Sequence, residues 1–331
     1  MRRTGWIFVG LSFLCAGFGG VPVRAQQSAS TYHWVVVASP ATLPGLKTPA
    51  GLAIDRRGPG RTKWLYTTDT TTGRVYKFGT GGHYLGRWQV TKPGNPAALS
   101  AAGVAVGGTG NVFVTDPARH LLNKYSPSGA RLAQWQPDTA TGPLDTPVTV
   151  AVDANGNVYV GDPIKDRIVR FNPDGTVGAS WAMSWTNGTG KSSPIATAFF
   201  EGGLLVAAVC GATSCTAGHG DLPYNVQWSN SDGRVLSEAV GATPHGGQAA
   251  GEQPWIIITG LAGDAKGNRY IAGLIETPSR NPQPGVLEYS HGGALVGSWT
   301  LKGTGLPEGI TVDNAGTVYV TYGNRILRLV R

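Results

Sequence analysis

The side chains in this 331-residue chain that could do chemistry are few and scattered. Six histidines (His33, His83, His120, His219, His245 and His291) include no pair at HxH or HxxxH spacing, which would bring two imidazoles onto one metal ion. His219 and His245 fall in long Gly- and Pro-containing segments, "VCGATSCTAGHGDLP" (209–223) and "GATPHGGQAAGEQP" (241–254). Imidazoles on separate loops can converge as metal ligands or as an acid–base pair. Cys210 and Cys215 are five residues apart. In an oxidising compartment they are expected to pair as a local disulfide, and two thiolates alone do not fill a zinc shell. Glu308, in "LPEGITV", is a carboxylate among small and apolar residues. Such a carboxyl can act as a general acid, or give one oxygen to Ca2+ or another divalent cation that takes roughly six to eight. No nucleophile elbow, P-loop, dinucleotide fingerprint or zinc signature occurs.

Whether these groups meet depends on the elements that carry them. "VDANGNVYVGDPIKDRIVRFNPDG" (152–175) is nearly repeated as "VDNAGTVYVTYGNRILRLVR" (312–331). The full unit is four short alternating strands, and six copies fit, with first strands at Gly51, Gly103, Thr149, Ala196, Gly260 and Gly309. Turns ending in Gly82, Gly129, Gly175, Gly233 and Gly293 separate the third strand from the fourth. Six residues beyond four of these glycines stands a tryptophan: Trp88, Trp135, Trp181 and Trp299, with Ala239 in the fourth copy. A recurring fourth-strand aromatic reads as packing between neighbouring sheets. Four-stranded units of this length are propeller blades. The sixth copy ends after three strands, and "YHWVVVAS" (32–39) is expected to supply the fourth, with Trp34 in the tryptophan position. The fold class is therefore all-β, a six-bladed β-propeller whose last blade is closed by the N-terminal strand.

The repeat also sorts the acids. Asp69, Asp116 and Asp162 end second strands, opposite Arg74 and Arg167 at the start of third strands, a place read as His120 in the second copy. Asp55, Asp153, Asp264 and Asp313 close the first-strand turns. Both sets read as carboxylates that bond their own turns. The residues just ahead of the six first strands are Ala50, Ala102, Val148, Ile195, Thr259 and Glu308. These should ring one mouth of the central channel, with Glu308 as the charged member. The long loops 209–223, 241–254 and 273–285 cluster on blades 4 and 5, on that same face.

"TPVTVAVDANGNVYVGDPIKDRIVRFNPDGTV" (146–177) resembles the NHL repeat of six-bladed propellers. The resemblance is strong in copies one to three and six, moderate in the fifth and weak in the fourth. It belongs to a broad group that includes binding and sensor propellers, amidating lyases, and gluconolactonase-like and streptogramin-lyase-like enzymes. Gluconolactonase-like members place a metal-binding Glu before a first strand, and "PEGI" (307–310) is similar, although their Asn and Asp ligands are not recognisable here. Lyase relatives use His for metal or acid–base work, which points to His219 and His245. The resemblance implies the fold more strongly than the function. Two readings follow. One is a binding module for a small molecule, protein or peptide at the channel face and the blade 4–5 loops. The alternative is a metal-assisted lyase or lactone hydrolase at the channel mouth, with Glu308 as metal ligand.

Residues 1–25 read as a secretory signal: Arg2 and Arg3, an apolar run from Trp6 to Phe18 too short to span a bilayer, and Ala25 at the cut. Residues 26–331 then form a single propeller, expected to be exported, periplasmic or secreted, and monomeric. Losing Arg2, Arg3 and Arg24 from 27 basic residues leaves 24 against 19 acidic, a net charge of +5. With no basic run or aromatic-interleaved stripe, this is no nucleic-acid footprint.

Overall fold

The computed structural model describes residues 32–57, 63–90, 102–183, 192–200, 202–210, 224–241, 255–275 and 282–330. They form six four-stranded antiparallel sheets. Blade 1 is β2–β5 (Pro49–Asp55, Trp64–Asp69, Arg74–Gly79, Tyr84–Gln89), and blade 2 is β6–β9 (Val104–Val106, Val112–Asp116, Leu121–Tyr125, Arg131–Trp135). Blade 3 is β10–β13 (Thr149–Val152, Val158–Asp162, Arg167–Phe171, Val177–Ala182), and blade 4 is β14–β17 (Ser192–Phe200, Gly203–Cys210, Tyr224–Ser229, Val235–Gly241). Blade 5 is β18–β21 (Trp255–Gly263, Arg269–Ile275, Gln283–Tyr289, Leu295–Thr300). Blade 6 joins β22–β24 (Pro307–Val312, Val318–Tyr322, Arg325–Val330) to β1 (His33–Ala38).

The innermost strands touch in the order β2, β6, β10, β14, β18, β22, and β22 returns to β2, so the ring is closed. Each interface between neighbouring blades holds its own apolar cluster. A second strand is therefore covered on both faces, and β7 and β11 are buried at every residue. The outermost strands β5, β13 and β21 alternate half-buried and exposed.

The recurring tryptophans belong to this packing. Trp88 contacts Tyr66 of its own blade and Tyr125 of the next, at ring-centroid distances of 6.0 and 5.7 Å. The next blade's third hairpin turn rests on it. Gly129 sits there at φ +91°, and a Cβ added to it would lie 2.7 Å from the Trp88 ring. Gly175 on Trp135 and Gly233 on Trp181 repeat the contact. Only glycine combines the positive φ with so close an approach.

The sixth blade closes as expected, with β1 antiparallel to β24 from His33↔Val330 to Ala38↔Ile326. The expected place of Trp34 is corrected. In blades 1, 2, 3 and 5 the tryptophan sits opposite the second residue of the third-strand motif: Val75, Leu122, Ile168 and Val286. The equivalent Ile326 faces Ala38, whereas Trp34 faces Leu329 and donates its indole N–H to the Thr300 carbonyl at 3.0 Å. The register shifts by one residue between Val36 and Ala38, and Trp34 lies four residues before the residue that faces Ile326.

Candidate functional site at the channel mouth

Each first strand starts, and each second strand ends, on one face of the ring, here the upper face. The second-to-third strand loops and the blade-to-blade connections share that face. In blades 1, 4, 5 and 6 the first strand begins earlier than the sequence suggested, and the ring residue lies inside a register irregularity. Ala50 falls between Pro49 and Leu52, Ile195 between Pro194 and Ala196, Thr259 between Ile258 and Gly260, and Glu308 between Pro307 and Ile310. Such bulges re-aim a side chain and release its backbone from the ladder.

Threonines that end or nearly end second strands link these strand starts between blades. The Thr68 hydroxyl accepts from Gly51 N at 2.9 Å and donates to the Ala102 carbonyl of the next blade at 2.6 Å. Thr321 does the same between blades 6 and 1, accepting from Gly309 N (2.7 Å) and donating to the Ala50 carbonyl (2.9 Å). Backbone approach is close enough that a Cβ on Gly309 would lie 2.2 Å from the Ala50 oxygen. The backbone is thus consumed in closing the ring, and the side chains are what the mouth presents.

Five of those side chains, Ala50, Ala102, Val148, Ile195 and Thr259, are partly exposed and uncharged. Thr259 lies against the carbonyls of Ala272 and Pro307. Glu308 is exposed and has no hydrogen-bond or ion-pair partner among the described residues. Its surface meets water, but the surrounding walls displace much of the solvent that would stabilise its charge. Desolvation accordingly raises its pKa above the ordinary Glu value. The mouth therefore offers one carboxyl group, which holds its proton more firmly than an ordinary Glu, in an otherwise neutral ring.

Arg56 marks the lower mouth and escaped the sequence reading, which aligned only the upper ends of the strands. It follows β2 directly. From blade 1 its guanidinium donates to the Val312 carbonyl of blade 6 (Nε 3.1 Å, Nη2 2.9 Å) and to the Gly263 carbonyl of blade 5 (Nη2 2.7 Å). Burial lowers its pKa, with Asp264 and Asp313 opposing the shift. The corresponding residues Gly108, Ala154, Ala265 and Asn314 are shorter, so a length comparison at this position would have found Arg56. The channel has an acid at one end and a base across the other.

His219, His245 and Cys215 lie outside the described residues. Cys210 ends β15, where it pairs in register with Ser192, so the 211–223 segment leaves from the upper face. Tyr224 pairs with Gly241 in β17, placing the start of the 242–254 segment there too. The structure thus brings the stems of both histidine-bearing loops to Glu308's face.

The remaining acids act only in part as the sequence suggested: Asp69, Asp153 and Asp264 bond their own turns, whereas Asp116 and Asp162 cap no turn. Asp69 accepts from Lys47 N (2.6 Å) and from Thr71 and Thr72 N. Asp162, fully buried, accepts from Asp145 and Thr146 N and pairs with Arg167 Nε at 3.2 Å. Asp153 and Asp264 each take two turn N–H groups, an Asn amide and a Tyr hydroxyl. The place assigned to His120 is corrected by one residue. Leu121 faces Asp116 as Arg167 faces Asp162, whereas His120 is the left-handed residue (φ 60°) that matches Asp166 and Gly73. Its Nδ1 meets the Asp145 carbonyl, a structural contact.

No family model and no curated protein sequence matches this chain. Solved structures do match. A putative gluconolactonase aligns with TM-score 0.58 at 16% identity over 91% of this chain and 92% of its own. A streptogramin B lyase aligns with TM-score 0.57 at 14% identity, covering 90% and 97%. A gluconolactonase from Xanthomonas campestris aligns with TM-score 0.55 at 16% identity, covering 90% and 89%. At these identities the likeness is one of fold: the chain is a six-bladed propeller of the architecture these lyases and gluconolactonases share.

Proposed function

We propose that this is an exported ligand-binding propeller that takes a small molecule at its upper channel mouth, with Glu308 as the recognising group. The observation that carries the reading is the single carboxyl on a bulge in an otherwise uncharged ring, with no protein partner among the described residues. A polar group of a ligand that enters the mouth meets one directional partner against small and apolar walls, the usual make-up of a small-molecule site. A protein or peptide segment is the larger occupant of the channel face that this reading admits.

A second reading, a metal-assisted lyase or lactone hydrolase, is favoured by the raised pKa of Glu308 and by the fold's likeness to such enzymes. The described ring does not itself fit a metal. Glu308 is its one carboxylate, and the Thr259 hydroxyl is already engaged with two carbonyls. Among the described residues no three His, Cys, Asp or Glu side chains gather as a metal would need. The enzyme reading therefore requires His219 and His245 as further ligands or as base.

Elemental analysis of protein prepared without chelators or metal-affinity resin, paired with a glucono-δ-lactone assay, separates the two. Lactone that binds to wild type but not to Glu308→Ala, without turnover or stoichiometric metal, supports the binding reading. Stoichiometric metal and lactone opening, both lost in Glu308→Ala, would replace it with the enzyme reading.

A further inference from the structure

A cavity of about 580 Å³ opens on the lower face, where blade 6 meets blades 5 and 1, away from Glu308. Its walls include the aromatic rings of Tyr32 and Trp299 and the charged side chains of Lys63, Glu288, Asp313 and Arg328. We propose that this seam cavity is a binding site for a neutral saccharide.

Two comparisons with other blades show what the seam frees. Trp88, Trp135 and Trp181 are each capped by the next blade's hairpin glycine. Among the described residues Trp299 has no such cap, because no hairpin joins the third and fourth strands of blade 6. Tyr32 leans on it instead, with ring centroids 5.7 Å apart and planes at 54°. Second, the Asp153 and Asp264 Oδ2 atoms are each occupied by an Asn amide and a Tyr hydroxyl. In blade 6 the Asn position is Thr317, and Asp313 keeps its two turn N–H bonds on Oδ1 only. Its Oδ2 has the Lys63 ammonium at 3.5 Å, and both side chains are about nine-tenths buried, at 10% and 12% exposure. Arg328 adds a second cation to the wall; its Nε is buried without a hydrogen-bond partner, as is Arg170 Nε at the same position in blade 3.

The lining selects the ligand. Two cations and two carboxylates balance, so a charged ligand would leave one side uncompensated, whereas a neutral one would not. Charged side chains make the strongest hydrogen bonds to hydroxyls, and the cavity offers both donors and acceptors. Aromatic rings supply a flat apolar wall. A sugar ring presents both parts: C–H groups on its faces and hydroxyls around its rim. The volume is that of a small-molecule site.

Calorimetric titration of the full chain with glucose, galactose, N-acetylglucosamine, maltose and cellobiose tests the proposal. At least one is expected to bind. Thr317→Asn, which supplies the amide found in blades 3 and 5, should weaken that binding roughly tenfold without lowering the melting temperature. Glu288→Gln should weaken it about as much, since the amide still accepts the 2.9 Å bond from the Tyr270 hydroxyl. Glu308→Ala should leave it unchanged. No heat from any of the five sugars at ~50 mM would overturn the proposal. So would binding that survives both seam variants, or that is lost only in Glu308→Ala, which would place the sugar at the upper mouth.

Discussion

Blades 3 and 6 carry almost the same sequence and do different things with it. In blade 3 the chain runs through all four strands, and the two carboxylates that recur in the repeat are fully engaged. Asp162 is buried against Arg167, and Arg167 reaches the carbonyls of Thr141, Gly142 and Pro143 in the incoming connection. Asp153 is saturated by its turn, Asn157 and Tyr159. In blade 6, Tyr322 stands where Asp162 would be, Arg325 is exposed, and Thr317 replaces Asn157. The comparison teaches that one strand pattern fixes the blade, whereas a few polar positions decide whether it is sealed or left with groups to offer.

The largest test removes the closure. Deleting residues 32–39 strips β1 from β24 and exposes the cluster that holds Val37, Ala38 and Ile326. Most of the soluble folded protein should be lost, and an unchanged melting curve for the truncation would refute closure by the N-terminal strand. Next, Arg167→Ala leaves the fully buried Asp162 without its cation. That should cost about 3–5 kcal/mol in denaturant unfolding, against less than about 0.5 kcal/mol for Arg325→Ala in blade 6. Equal costs would mean the two blades are anchored alike. Asn157→Thr makes blade 3 resemble blade 6 and should cost about 1 kcal/mol by the same measurement. A cost near zero would show that Asp153 does not need the amide.

The smallest effect concerns pH. Glu308 holds its proton to a higher pH in the folded chain than in the unfolded one. Its contribution is therefore complete below the ordinary Glu value and is lost as pH rises through the raised folded value. Glu308→Gln stays neutral throughout. It should match wild type in acid and melt slightly above it on the alkaline side of that window. A gap that widens toward acid would reverse the assignment.

The sequence carried the six blades, the closing strand and the ring of mouth residues, because each is a consequence of strand alternation and repeat spacing. It could not show where strands slip register. Ala38 rather than Trp34 takes the place opposite Ile326, four residues further along β1, and four bulges put ring residues inside strands rather than ahead of them. A bulge inserts a residue without marking it by type. His120 was misplaced for a different reason. Counting five residues from each Asp gives Arg74, Leu121 and Arg167, so side-chain resemblance misled where spacing would have succeeded. Arg56 was visible as a lone long residue among short ones, but only a side chain reaching two blades around the ring gives it meaning. His219 and His245 lie outside the described residues, on segments that have no repeat to fix them.

The seam also sets how the ring responds to force. β1 and β24 run antiparallel, and His33 faces Val330, so the start of β1 and the end of β24 lie side by side. A load that pulls them apart acts on the His33–Val330 bridge first and then on each later bridge in turn. It does not share itself across the whole ladder. The propeller is therefore a ring with a built-in tear line: single-molecule pulling should show blade 6 opening at low force, ahead of the five blades whose strands are joined by hairpins.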